Sequence, residues 1–143
     1  MRDQLNPIHC VVGNLQQVAR AVSRVYAEEM RSCGVKRSPF NILAVLMHTE
    51  SITLSDFAER LLMERTTLSR NLKPLVKQGY VSVILSASDA RVREISLTRE
   101  GIKKFREALG LWRKAQEKLL RVYGEENWRK LEASLHKLRD LVA

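Results

Sequence analysis

The apolar spacing of the chain changes period once, and that change constrains the fold more than any other feature. Apolar side chains first recur every three or four positions, as Leu54, Phe57, Ala58, Leu61 and Leu62, and then as Leu68, Leu72, Leu75 and Val76. This is the spacing of two amphipathic helices. Only Met63-Glu64 separates them, so the turn between them must be tight. From residue 80 the pattern becomes strand-like: residues 80–85 and 92–97 are rich in β-branched and aliphatic residues, and residues 86–91 carry the short polar side chains of a hairpin tip. Two short helices with a tight turn, followed by a two-stranded ribbon, outline a winged helix-turn-helix.

The flanking sequence is helical. Leu15, Val18, Ala19, Val22, Tyr26 and Met30 form one stripe, with Gly34 as a terminal cap. Ser38-Pro39 supplies an N-cap and a proline for a second helix that buries Phe40, Leu43, Leu46 and Met47. Thr53, with Asp56 three residues on, caps the third helix, and Gly79 ends the fourth. Pro74 lies inside the fourth, where it removes the hydrogen bond to the Arg70 carbonyl, so a kink or an early end is expected. Thr98 caps a long helix striped by Ile102, Phe105, Leu109, Trp112, Leu119 and Tyr123, with Gln116 as a polar interruption. Gly124 breaks it before a last helix carrying Trp128, Leu131, Leu135, Leu138 and Val142. Six Gly and three Pro leave few turns, in keeping with long helices.

The expected fold is therefore mainly α with a small β-hairpin wing, a winged helix-turn-helix plus a helical dimerisation region. It is read as one domain over residues 1–143, with a winged helix-turn-helix lobe at 37–100 and a helical dimerisation lobe from 1–36 and 101–143. The outer helices carry more apolar surface than a small winged helix can cover. A second copy of the same chain is the economical cover.

Composition excludes other classes. At 45% hydrophobic and 29% charged residues the chain can bury a core, and disorder is excluded for most of it. The apolar run at residues 42–47 is far short of the roughly 18 residues of a membrane helix. The N-terminus lacks the apolar core of a secretory signal, which favours the cytoplasm. Cys10 and Cys33 form no Cys-x-x-Cys pair and are expected as free thiols. His9, His48 and His136 are scattered, with no metal-ligand spacing, Gly-rich phosphate loop or nucleophile elbow. No enzyme, cofactor or metal is expected.

Charge points to a polyanion, because the 25 Lys and Arg exceed the 16 Asp and Glu by nine. Its placement narrows the partner: between Met63 and Lys104 nine basic residues stand against four acidic ones. At about 100° per residue, Thr66, Arg70, Lys73 and Lys77 fall opposite Leu68, with Ser69 at the flank. Arg grips guanine bidentately and Thr or Ser meets a base edge or a thymine methyl, so this face suits a major groove. At the hairpin, Asp89-Ala90-Arg91-Val92-Arg93 puts two arginines near a narrow tip suited to a minor groove, with Asp89 expected to hold the Arg91 guanidinium. Glu64 is an awkward N-cap for the fourth helix. The competing reading of the same face is a protein-interaction module for an acidic partner.

Residues 65–72 (Arg-Thr-Thr-Leu-Ser-Arg-Asn-Leu), the Asp89-x-Arg91 wing and Leu97-Thr98-Arg99-Glu100-Gly101 resemble the MarR family of bacterial transcriptional regulators. The resemblance implies a homodimer built from the terminal helices. It also implies a pseudo-palindromic double-stranded DNA site and a small-molecule or oxidant input that weakens binding, most often to a repressor. It implies DNA contacts from Arg65, Thr66, Thr67, Ser69, Arg70, Asn71, Lys73 and Lys77 on the helix, and from Asp89, Arg91 and Arg93 on the wing. Phe40, Met47 and Trp112 would then line an effector cleft, although each also holds a core-like position. Cys10 falls near the place where some relatives carry a redox-active cysteine, with only His9 beside it in sequence as a partner.

Overall fold

The computed structural model describes residues 3–89 and 91–142. Its regular elements are α1 (Val11–Glu29), α2 (Arg37–Leu46), β1 (Ile52–Thr53), α3 (Leu54–Arg60), α4 (Arg65–Lys77), β2 (Val81–Leu85), β3 (Arg93–Leu97), α5 (Arg99–Tyr123) and α6 (Glu125–Val142). Two compact units result: Met30–Gly110 is one, and the chain up to Glu29 together with that from Leu111 onward is the other. The lobe boundaries expected at 36/37 and 100/101 both fall inside the Met30–Gly110 unit. Met30, Cys33, Val35, Phe105 and Ala108 are all buried, which is why the winged-helix unit extends at both ends.

The core of the Met30–Gly110 unit is mostly aliphatic, with Phe57 and one aromatic stack besides. Phe57, Ile42, Leu43, Leu46, Leu68 and Ile95 are essentially inaccessible, and Phe40 stacks on Phe105 with ring centroids 5.3 Å apart. Helix α2 starts at Arg37 after an extended Lys36 that makes no side-chain cap, two residues before the proline expected to open it. Pro39 still sits in the first turn, where its missing N–H would have had no helical partner.

The wing is a three-stranded antiparallel sheet in the order β1-β3-β2, one strand more than the expected ribbon. Ile52 and Thr53 pair with Ile95 and Glu94, an addition too short to leave a periodic signal in sequence. In the hairpin Val81 faces Leu97 and Leu85 faces Arg93.

Both helices of the helix-turn-helix end in the same hydrogen-bonded cap. After α4, Gly79 takes φ 75°, its N–H donates to the Val76 carbonyl, and Tyr80 N–H donates to the Leu75 carbonyl. After α3, Leu62 N–H donates to Glu59 and Met63 N–H to Ala58 in the same pattern, but the left-handed residue is Leu62, at φ 50°. Leu62 was expected on the apolar stripe of α3; instead the helix has already ended and its side chain is 63% exposed.

The second unit holds α1, α6 and the later part of α5. Tyr26 is buried, stacks on Trp112 at 6.1 Å, and donates its hydroxyl to Gln116 Oε1. That bond explains the polar interruption in the α5 stripe. Lys118 reaches Glu29 at 3.3 Å. Around this small core the unit leaves much apolar surface uncovered, including Leu5, Ile8, Val11, Val12, Val18, Leu141 and Val142.

Candidate nucleic-acid interface

Helix α4 is anchored by its apolar side and presents its cationic side. Leu68, Leu72 and Leu75 are buried, whereas Arg65, Thr66, Thr67, Arg70, Lys73 and Lys77 are exposed and Ser69 and Asn71 are half-buried. Val76, expected to point inward, is 41% exposed at the edge of this face. Arg65, Thr66, Ser69, Arg70 and Lys73 together line a shallow hollow. The helix runs through Pro74 to Lys77, and Gln78 N–H bonds the Pro74 carbonyl, so the proline does not end it. Only the one hydrogen bond that Arg70 would have received is forfeited.

The N-terminus of α4 is poorly capped, as its sequence suggests. Glu64 is extended and makes no side-chain cap bond. The start of α3 is the opposite case. Thr53 Oγ1 accepts from Asp56 N–H at 3.1 Å and donates to the Asp56 carboxylate at 2.8 Å, so hydroxyl and carboxylate satisfy one another.

The wing tip is built from local hydrogen bonds. Ser86 N–H donates to the Val92 carbonyl at 2.8 Å, and Val92 N–H donates to the Asp89 carbonyl at 2.9 Å. Asp89 Oδ1 accepts the backbone N–H of Arg91 at 2.9 Å. The expectation that Asp89 holds the Arg91 guanidinium is therefore corrected: it fixes the turn through the backbone, because a short Asx side chain reaches the N–H two residues on more readily than a long side chain's tip. Ala90, between them, lies outside the described residues. Arg91 and Arg93 are exposed.

One grouping carried no sequence signal. A hollow of about 460 Å³ is lined by Thr53, Leu54, Ser55, Asp56, Arg65, Arg91, Val92 and Arg93, so the starts of α3 and α4 converge with the wing. Arg65 Nη1 donates to Ser55 Oγ at 3.3 Å across it. The Thr53–Asp56 cap locates Ser55 on the first turn of α3, but its nearness to the wing follows from β1 pairing with β3.

The remaining candidates lie elsewhere. Phe40 belongs to the core stack, Met47 is half-buried in the same unit, and Trp112 stacks in the other. Cys10 is exposed and free, and its neighbour His9 faces Asp3, with 3.9 Å between Nε2 and Oδ1. Cys33 is buried and donates its thiol to the Met30 carbonyl at 3.1 Å. Among the described residues no helix is long and apolar enough to cross a membrane.

Comparison with known proteins places these features in context. Residues 34–92 match the family model described as MarR family. The crystal structure of the M. tuberculosis transcriptional regulator MosR in complex with DNA is 32% identical, covering 92% of this chain and 97% of that one, with a TM-score of 0.80. Among curated proteins, the uncharacterised HTH-type transcriptional regulator YdgJ of Bacillus subtilis is 26% identical over 71% of this chain. The HTH-type transcriptional regulator PapX of Escherichia coli is 31% identical over 60% of it. The chain spans 60% and 54% of the length of those two relatives. A cysteine-to-serine variant of E. coli MarR complexed with operator DNA shares the fold at a TM-score of 0.84 and 21% identity, covering 94% of this chain and 97% of that one.

Proposed function

This chain belongs to the MarR family, and from that membership we propose that it is a transcriptional regulator that binds double-stranded DNA through α4 and the wing. The observation that carries the reading is the outer face of α4, where Thr66, Arg70, Lys73 and Lys77 are exposed opposite three buried leucines. Three cations and a hydroxyl without a carboxylate would attract any acidic surface, and they match in addition the acceptor-rich edge of guanine and the phosphates beside it. In this proposal α4 lies in the major groove, with Arg70 on a base edge and Lys73 and Lys77 on phosphates. Arg91 enters the neighbouring minor groove, held by the turn that Asp89 builds. The DNA-bound state of MosR, similar over nearly the whole of both chains, supports the assignment.

The proposal extends to a homodimer. Val11, Val12 and Val18 on α1, with Leu141 and Val142 at the end of α6, are exposed apolar side chains of one unit, and a second copy is the economical cover for them. A two-fold dimer places its reading helices about one helical turn apart, so the operator is an inverted repeat with half-site centres about 10 bp apart. Such a dimer would act as a repressor that a small ligand releases.

Selection of bound sequences from random duplex DNA, followed by retardation assays across a salt series, tests the reading. An inverted repeat and a steep salt dependence are expected. Arg91→Ala should flatten the salt slope by about one unit. Absence of any specific shift at low salt would reject DNA as the ligand and favour an acidic protein partner.

A further inference from the structure

Three arginines, one from α4 and two from the wing, line one hollow. Arg65 opens α4, while Arg91 and Arg93 come from the wing, and all three line the 460 Å³ hollow whose remaining wall is the start of α3. Among the described residues none of the three forms an ion pair with a carboxylate. The acid in the wall, Asp56, accepts the Thr53 hydroxyl of its own cap instead, and its backbone N–H donates to that same hydroxyl. Arg65 is steered inward by Ser55 Oγ, which accepts from its Nη1 at 3.3 Å and leaves its other donors available. Three like charges against the single carboxylate of Asp56 leave a positive excess that raises the local potential, and that potential selects an anion.

We propose that this hollow is a phosphoryl-binding seat, in which Arg65, Arg91 and Arg93 bind a tetrahedral phosphoryl group and Ser55 positions Arg65. Guanidinium forks match phosphoryl oxygens in pairs, which makes three arginines a better fit to phosphate than to chloride or a lone carboxylate. The volume also admits the sugar or second phosphoryl group attached to such an anion. The seat deepens the DNA reading: its position between α4 and the wing is where a backbone phosphate would pass from one groove to the next. A small phosphorylated ligand offers the same chemistry, and the two sources are separable by experiment.

The test uses the full chain and inorganic pyrophosphate, compared with chloride at equal ionic strength. Binding is followed through backbone amide shifts of Ser55, Arg65 and Arg93. Pyrophosphate is expected to shift these amides; Arg65→Gln should weaken its binding about tenfold. Asp56→Asn removes the carboxylate in the wall and should tighten it several-fold, an opposite sign that a general loss of folding cannot imitate. On duplex DNA, Arg65→Gln should lower the salt slope by about 0.9 if a backbone phosphate occupies the seat. A lowered slope without pyrophosphate binding assigns the seat to the DNA backbone. Pyrophosphate binding with an unchanged slope assigns it to a small phosphorylated ligand. The absence of both effects would overturn the seat. Pyrophosphate binding in a protein that shifts no duplex would keep the seat and reject the DNA reading.

Discussion

Gly101→Ala should damage this protein more than any other one-methyl addition to its glycines. Gly101 is buried in the first turn of α5, and a Cβ built there lies 2.0 Å from the Tyr80 carbonyl oxygen, 2.9 Å from the Tyr80 carbonyl carbon and 3.0 Å from Leu97 Cδ2. Carbon–oxygen contacts settle at about 3.3–3.6 Å, so the two backbones would have to part by about 1.3 Å. Neither is free to move. Thr98 N–H donates to the Tyr80 carbonyl at 3.1 Å, Thr98 Oγ1 donates to the Gly79 carbonyl at 2.6 Å, and Gly101 N–H donates to Thr98 Oγ1 at 3.0 Å. Overpacking usually costs about 1–3 kcal/mol; against a backbone held this way about 3 kcal/mol or more is expected, with a midpoint about 10 °C lower. Urea unfolding at one fixed protein concentration measures it, since the stability of the proposed dimer would depend on concentration. Gly110→Ala is the internal control: it lies in the same helix with nothing within 4 Å, and should stabilise by about 0.5–1 kcal/mol. If Gly101→Ala stays within about 1 kcal/mol of the parent, the corner between α4, β2 and α5 yields, and the close-approach account of this glycine fails.

Arg70→Ala should cost more affinity on the selected site than on random duplex, by about 1–3 kcal/mol for a bidentate base contact, as read by competition binding; equal losses on both would make Arg70 a phosphate contact. Leu62→Gly should stabilise by about 0.5–1 kcal/mol in urea unfolding, because relief of the left-handed leucine outweighs the entropy of glycine and the little apolar area lost. Its hydrogen bond with Glu107, at 3.0 Å, is the main cause that raises the Lys104 pKa above the ordinary lysine value, with partial burial opposing it. A raised folded pKa gives stability that is complete below the unfolded lysine range and disappears as pH rises through the folded value. Glu107→Gln should therefore lose under about 1 kcal/mol equally at pH 6 and pH 9, and a difference between those two pH values would contradict the assignment.

The elements whose periods are long and regular were legible in the sequence, and so was the side of α4 that faces outward. Leu68, Leu72 and Leu75 repeat often enough to fix the helix orientation, and the exposed cations follow from that by geometry. The Thr53 and Thr98 caps were legible because a hydroxyl three residues before a backbone N–H is a local relation. The misses share a cause of the opposite kind. Two residues of β1 have no period of their own and exist as a strand only because β3 lies beside them. Leu62 and Val76 continue an apolar rhythm past the point where the cap geometry has ended or turned the helix away. Asp89 was assigned to a distant guanidinium when a nearer backbone N–H was available. The hollow that gathers Arg65, Arg91 and Arg93 depends on strand pairings between residues 41 to 43 positions apart, which no local pattern encodes.

Stability and recognition in this chain draw on different atoms, and that separation has a cause. Among the described residues no polar or charged residue is buried, and no buried side-chain nitrogen or oxygen lacks a partner. The fold therefore rests on aliphatic packing and backbone bonding, and the cations of α4 and the wing contribute nothing to the core. Gathering them on one surface nevertheless has an electrostatic cost, because Arg65, Arg70, Lys73, Lys77, Arg91 and Arg93 repel one another without internal neutralisation. In the free protein, salt screens that repulsion and favours the folded state. In the proposed DNA complex the phosphates would supply the missing charge, and salt would act against them by competing for both partners. The same ion thus stabilises the free protein and weakens the complex. That opposition follows from leaving the reading surface unpaired, since internal carboxylates would relieve the strain and in the same act cancel the attraction.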